Sequence, residues 1–339
     1  MIIYIYIYMP DPWGYFSTNM HNYYDRCLKI YEKENKKVNN NQYVIYNLGP
    51  INNTYNVLSE ISEIQDFSNK VTTIFDKTPN NQKPGARIKF ENVKINYRSS
   101  DKKLILTKKF VELNDELFRY VKKISLKVIS ILEKDLNIYI NPYNFQLYRN
   151  LQINKNLITS TSFGNGAWKY HCDHDPPFKF KVFIYLTDVD ENKAPFEIIY
   201  HPKKNIYPKM IPYGNNDWSW GLININYTDK LTEPYFQKKK FSNVYLINPN
   251  TRIPDKTLQK LKNDGFIKKK ITGKKGTMIA CQAGLVHRAN IGIDGYRDLL
   301  IIECVPSLYK INENNCIIQN IDKTLNGIDI LKFYKNLVK

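Results

Sequence analysis

The sequence predicts a mainly β protein with flanking helices, an α+β architecture, and three observations lead there. Short apolar or alternating runs recur between Gly-, Pro- and Asn-containing turn signals, above all at 182–186, in the stretch that opens GTMIACQ, and at 299–302. Only one long stretch, 113–136, has a clear helical period, with Leu117, Val121, Ile124, Val128, Ile131 and Leu132 along one face. No repeat or long linker divides the 339 residues, and 42% apolar and 14% aromatic content is enough to bury a substantial core.

In chain order, residues 1–60 alternate Tyr- and Ile-rich pieces with polar turns such as Asn39-Asn40-Asn41 and Gly49-Pro50. Segment 1–9 is apolar but far short of the roughly 20 residues a bilayer span needs, and it lacks the basic start of a signal peptide. It reads as a strand or a packed terminus, and His21 as a surface or packing residue. Residues 61–110 continue in the same manner, with a loop at Pro79, Pro84 and Gly85 and a half-buried strand at 87–97. Helix 113–136 has Lys122, Lys123 and Lys127 off its apolar stripe; it can lie on a membrane, but packing against a sheet is the commoner fate. Residues 144–153 (NFQLYRNLQI) read as a strand with Phe145, Leu147 and Arg149 on one side and Gln146, Tyr148 and Asn150 on the other. A Lys-rich helical or loop insertion with a solvated face is expected within 249–270, and a short helix over 328–337. The expected organisation is an extension (1–140), a core (141–310) and a tail (311–339).

The net charge of +18 invites a nucleic-acid reading. Lys, Asn, Ile and Tyr are abundant together, however, as AT-rich coding produces, so the lysines are expected to be dispersed and the substrate to be a small molecule, anionic ones included. A nucleic-acid enzyme would instead line a groove with Trp168, Lys169, Tyr170, Trp218 and Trp220, because bases stack on aromatic rings. Cys27, Cys172, Cys281, Cys304 and Cys316 are odd in number and form no CxxC pair, which excludes a zinc finger and a disulfide framework. A reducing, cytoplasmic setting is expected.

The chain is organised around 168–200, WKYHCDHDPPFKFKVFIYLTDVDENKAPFEIIY. In a strand, residues i and i+2 project to the same side, so His171 and Asp173 can offer an imidazole nitrogen and a carboxylate oxygen to one point. His174 and Asp175 are adjacent and would point apart. Two histidines and one carboxylate with open positions make the facial triad of non-haem Fe(II) oxygenases; the second histidine must come from elsewhere in the chain, where His21, His174, His201 and His287 are the few candidates. Arg297 follows at the start of the apolar run 299–302. Trp218 and Trp220, in a polar Gly-flanked loop, are pocket walls or core caps.

The ordered set of His171-x-Asp173, KVFIYLTDVD (181–190), APFEIIY (194–200), and His287-Arg288 with Arg297 downstream resembles the phytanoyl-CoA dioxygenase-like branch of the Fe(II)/2-oxoglutarate-dependent oxygenases, over roughly 141–306. The resemblance implies a double-stranded β-helix (jelly-roll or cupin-like) core. It implies metal ligation by His171, Asp173 and His287, with 2-oxoglutarate and dioxygen as cosubstrates. Arg297 would clamp the cosubstrate's distal carboxylate, since a guanidinium meets a carboxylate bidentately; Arg288 is the alternative clamp and Tyr148 a further cosubstrate contact. Trp168, His174, Trp218 and Trp220 would line the substrate pocket. The chain departs from the family where a Gly-Ser-His turn gives way to Tyr200-His201-Pro202-Lys203. Related halogenases lack the carboxylate, so Asp173 favours hydroxylation. A zinc hydrolase and an inactive jelly-roll binding protein are the rival readings; the first is disfavoured by the absence of a helical HExxH.

Overall fold

Two long strands set the frame. β5 (Ile140–Asn150) and β13 (Arg297–Pro306) pair antiparallel along almost their whole length, and β6 (Phe180–Tyr185) lies on the other side of β13. In the computed structural model these belong to an eight-stranded sheet ordered β1-β11-β6-β13-β5-β4-β3-β2. The outer members are β1 (Thr54–Asn56), β2 (Lys89–Phe90), β3 (Val93–Ser100), β4 (Lys103–Val111) and β11 (Thr277–Gln282). A three-stranded sheet, β10-β7-β12, comprises β7 (Phe196–Tyr200), β10 (Ile267–Ile271) and β12 (His287–Ala289). A short parallel pair joins β8 (Tyr207–Lys209) to β9 (Val244–Leu246). The structure describes residues 48–77, 113–152, 169–173, 179–209, 253, 255–290 and 292–318, the backbone of strands within 89–111 and 244–246, and positions 26, 27, 29, 30 and 33. The expectations for 1–9, His21, the 328–337 helix, Trp168, His174, Trp218 and Trp220 lie outside them.

Strand alternation gives the large sheet two different faces. Phe145, Leu147, Val182, Ile184, Met278, Ala280, Leu300 and Ile302 point outward into a core shared with two helices. The other face carries Tyr148, Phe183, Tyr185, Ile279, Leu299 and Ile301, which meet Phe196, Ile198 and Ile271 of the small sheet. Tyr185 pins the two layers together: its hydroxyl donates to the Ile271 carbonyl (2.6 Å) and accepts from the Phe196 N–H (3.2 Å). The expected faces of 144–150 are therefore the observed ones.

The helical stripe at 113–136 forms α2 (Asp115–Leu136). It begins where the Asn114 side chain accepts from the Leu117 N–H (2.9 Å), with Asp115 and Glu116 in the first turn, and stops at Asn137 in the left-handed region (φ 55°). Its apolar face packs on the sheet, with Ile129 buried while Ile131 is partly exposed. Among the described residues no helix is long and apolar enough to cross a membrane. The sequence reading missed α1 (Glu63–Lys77). Ile64, Phe67, Ser68, Val71 and Phe75 bury one face of it, but the β-branched run Val71-Thr72-Thr73-Ile74 favours strand locally, and tertiary packing overrides that preference. The Lys-rich insertion resolves into α3 (Asp255–Asn263), with only Leu261 buried, and edge strand β10, paired to β7. Gly265 (φ 89°) turns the chain between them, where a Cβ would stand 3.1 Å from His201 Nε2.

Candidate metal centre

His171 and His287 are neighbours across an isolated antiparallel bridge, each N–H donating to the other's carbonyl at 2.9 Å. β12 is paired on its far side to β7, with His287 opposite Ile198, so the small sheet places both histidines on the face turned toward the large one. The imidazoles lie 4.4 Å apart, centroid to centroid, and both residues are buried. Phe196 flanks the His287 ring at 5.3 Å.

Each histidine has its Nδ1 beside a carbonyl oxygen two residues earlier: Lys169 for His171 and Leu285 for His287, both 2.9 Å. An Nδ1–H donating there leaves Nε2 with its lone pair directed into the space between the sheets. Asp173 completes the group, with Oδ1 4.0 Å from His171 Nε2 and Oδ2 3.6 Å from His287 Nε2. The three ligand atoms lie within 4.8 Å of one another, forming a group that could hold a metal ion.

Arg297 opens β13 opposite Asn150 and is 2% exposed, a fully buried guanidinium. With the Asn150 amide oxygen turned toward it, that oxygen accepts from Nε (3.2 Å) and Nη2 (2.5 Å). Nη1 is buried with no hydrogen-bond partner among the described residues. The Tyr185 ring lies 5.9 Å from Cζ. Tyr148 is on the same face, one alternation along β5, and the charges of Arg297, Lys181 and Asp173 all act on its hydroxyl; burial dominates and raises its pKa.

Arg288 goes elsewhere. Successive strand residues face opposite ways, so beside His287 it turns to the outer side of the small sheet, where Nε and Nη2 donate to Glu197 Oε1 at 2.8 and 2.7 Å and the guanidinium stacks on Tyr170. Glu197 also accepts from the Tyr170 hydroxyl and from Asn290 Nδ2 (2.5 Å). The alternative clamp therefore points away from the His–Asp–His group. His201 is also apart from it, just past the end of β7 and against Phe266.

Sequence reasoning missed the buried charges next to Asp173. Lys181 Nζ lies 2.6 Å from Asp173 Oδ2 and 3.9 Å from Glu303 Oε1. Glu303 is held by Lys179 Nζ (2.9 Å), Asn144 Nδ2 (3.0 Å) and the Tyr143 hydroxyl (3.2 Å). A signal was present: Lys179 and Lys181 share one face of a strand whose neighbours are all apolar, and Glu303 is the acidic residue inside LLIIECVP. Charges so placed have to be buried together.

No family model matches the chain, and no curated protein matches it. Solved structures do. AviO1 from Streptomyces viridochromogenes Tue57 is 10% identical, covering 79% of this chain and 95% of its own, with a TM-score of 0.39. The epimerase SnoN, in complex with Fe3+, alpha ketoglutarate and nogalamycin RO, is 9% identical over 74% and 77%, with a TM-score of 0.41. EctD from S. alaskensis, with 2-oxoglutarate and 5-hydroxyectoine, is 11% identical over 77% and 73%, with a TM-score of 0.37. All three likenesses are distant.

Proposed function

We propose that the chain is an Fe(II)/2-oxoglutarate-dependent dioxygenase of the phytanoyl-CoA dioxygenase-like kind. Its double-stranded β-helix core would span 141–310, with 1–140 packed on it as an extension and 311–339 as a tail. One observation carries the reading: between the same two sheets stand two imidazoles, a carboxylate and a buried guanidinium whose Nη1 has no partner among the described residues. The donor set suits Fe(II), being two nitrogens and one oxygen of intermediate softness. The guanidinium suits a dicarboxylate cosubstrate. A buried donor without an acceptor costs about 1–3 kcal/mol, which a bound carboxylate relieves.

His171, Asp173 and His287 would hold the metal, and Arg297 the distal carboxylate of 2-oxoglutarate through a planar fork that lysine cannot reproduce. Asn150 fixes the guanidinium from behind. Tyr148 lines the cosubstrate space with a hydroxyl that burial keeps protonated. The apolar walls Leu299, Ile301, Phe183 and Phe196 exclude water from it. With dioxygen and 2-oxoglutarate, Fe(II) in such a site supplies the oxidising power to hydroxylate a C–H bond, releasing succinate and CO2. Asp173 favours hydroxylation over halogenation. The substrate is a small organic molecule, anionic ones included. The buried cysteines, which form no disulfide among the described residues, are in keeping with a reducing, cytoplasmic setting.

The test is elemental analysis of purified protein together with succinate release from 2-oxoglutarate under air, across a panel of small acids, amino acids and acyl thioesters and, separately, oligonucleotides. Iron-dependent succinate release stimulated by a small molecule is expected. Stoichiometric zinc with no succinate would make the site hydrolytic, and neither metal nor turnover would make the chain a binding protein. Stimulation by oligonucleotides alone would move the substrate to nucleic acid.

A further inference from the structure

Lys181 is only 6% exposed at its side chain, and its ammonium lies 2.6 Å from Oδ2 of the candidate metal ligand Asp173. Glu303, its cross-strand neighbour on β13, does not account for it. That carboxylate lies 3.9 Å from Lys181 and already has Lys179 at 2.9 Å, with Asn144 and Tyr143 besides. Burying a lysine is expensive without a close anion, and Asp173 supplies one. The ammonium meets Oδ2.

We infer that Lys181 is a positioning residue that reserves Oδ2 of Asp173, so that the carboxylate offers the metal one oxygen rather than two. The inference rests on the dioxygenase reading. A carboxylate can bind a metal through either one or both oxygens. Three single-atom donors leave half an octahedron open, whereas a carboxylate bound through both oxygens would occupy a place the cosubstrate needs. The ammonium also offsets the charge of Asp173, and Lys179 that of Glu303, so the pull on a dication is moderated. Lys181 thus trades metal affinity for an open position.

Co(II) is the probe: its affinity by chelator competition, its visible absorption, and calorimetric titration of 2-oxoglutarate into Co(II)-loaded protein. Lys181→Met should bind Co(II) about tenfold more tightly, a change of the size seen when the partners of metal ligands are altered. Its visible spectrum should change, and 2-oxoglutarate should bind about as many fold more weakly. Lys181→Gln, which keeps a donor to Oδ2 but no charge, should also tighten Co(II) while retaining the wild-type cosubstrate affinity; it carries the metal test if the Met variant does not fold. Unchanged cosubstrate affinity in Lys181→Met, or weaker Co(II) binding with a lowered melting temperature, overturns the inference while the dioxygenase reading stands. Wild-type protein that takes up no Co(II) overturns the dioxygenase reading and the inference with it.

Discussion

Arg149 and Arg297 are two buried arginines on adjacent strands of one sheet, facing opposite ways. Arg149 looks toward the helices, and all three of its nitrogens have anionic partners: Nε and Nη2 meet Asp298 at 2.6 and 2.9 Å, and Nη1 meets Asp76 at 2.5 Å. Tyr296 and Phe75 stack on it at 3.6 and 5.0 Å, and Thr72 of α1 donates to Asp298 at 3.0 Å. Arg297 looks toward the His–Asp–His group and has a neutral amide for two nitrogens and no described partner for the third. The first guanidinium is closed and belongs to the fold. The second is held by Asn150 and keeps one buried nitrogen without a described hydrogen-bond partner, as the proposed cosubstrate role requires.

The comparison breaks most visibly at Asp298. Asp298→Ala leaves Arg149 buried against a single, half-exposed carboxylate and should destabilise the protein by about 3–5 kcal/mol in urea unfolding, with 2-oxoglutarate affinity retained in the folded protein. Arg297→Lys should do the reverse. Losing the bidentate contact should weaken 2-oxoglutarate by about 2 kcal/mol, roughly thirtyfold, with little change in the urea midpoint. If both variants lost stability equally, the distinction between the two arginines would fail.

The closed pair should also leave a pH signature. Burial raises the Asp298 carboxyl, against the pull of Arg149, so the folded state holds that proton more tightly than the unfolded chain. Its contribution to stability is then greatest below the ordinary carboxylate value of about 4 and declines as pH rises through the higher folded value. Wild-type stability minus that of Asp298→Asn should therefore fall across this window. The smallest effect belongs to the far end of the helix layer. Asn114→Ala removes the α2 cap and should reduce stability by about 1 kcal/mol, leaving Co(II) and 2-oxoglutarate binding unchanged.

Much of this was legible in the chain. The strand period at 144–150 predicted which side chains face which layer, and the His171-x-Asp173 spacing predicted a shared direction. The departures have physical causes. The α1 helix was hidden because its buried face includes residues whose local preference is β. Lys181 is a lone charge among apolar neighbours, and Glu303, the acid beneath Lys179 and Lys181, is distant in sequence; only the register of β6 on β13 brings it to them. Arg288 and Arg297 were separable in principle, since an arginine directly after a strand ligand must face the other way.

The reciprocal backbone bridge between His171 and His287 has a consequence for how the protein assembles. These residues are far apart in sequence, and the loop they close encloses β6, β7, β8, β9, α3, β10 and β11. Contacts that close long loops form against a larger entropic penalty than local ones, so the site is complete only when β12 has docked on β7. A partly folded chain with the helix-backed layer in place but β12 undocked cannot chelate. A metal that binds the finished site and not its precursors draws the equilibrium toward docking by mass action, by about 2.7 kcal/mol at a hundredfold excess over its Kd. Metal supply would then set how much of the protein persists.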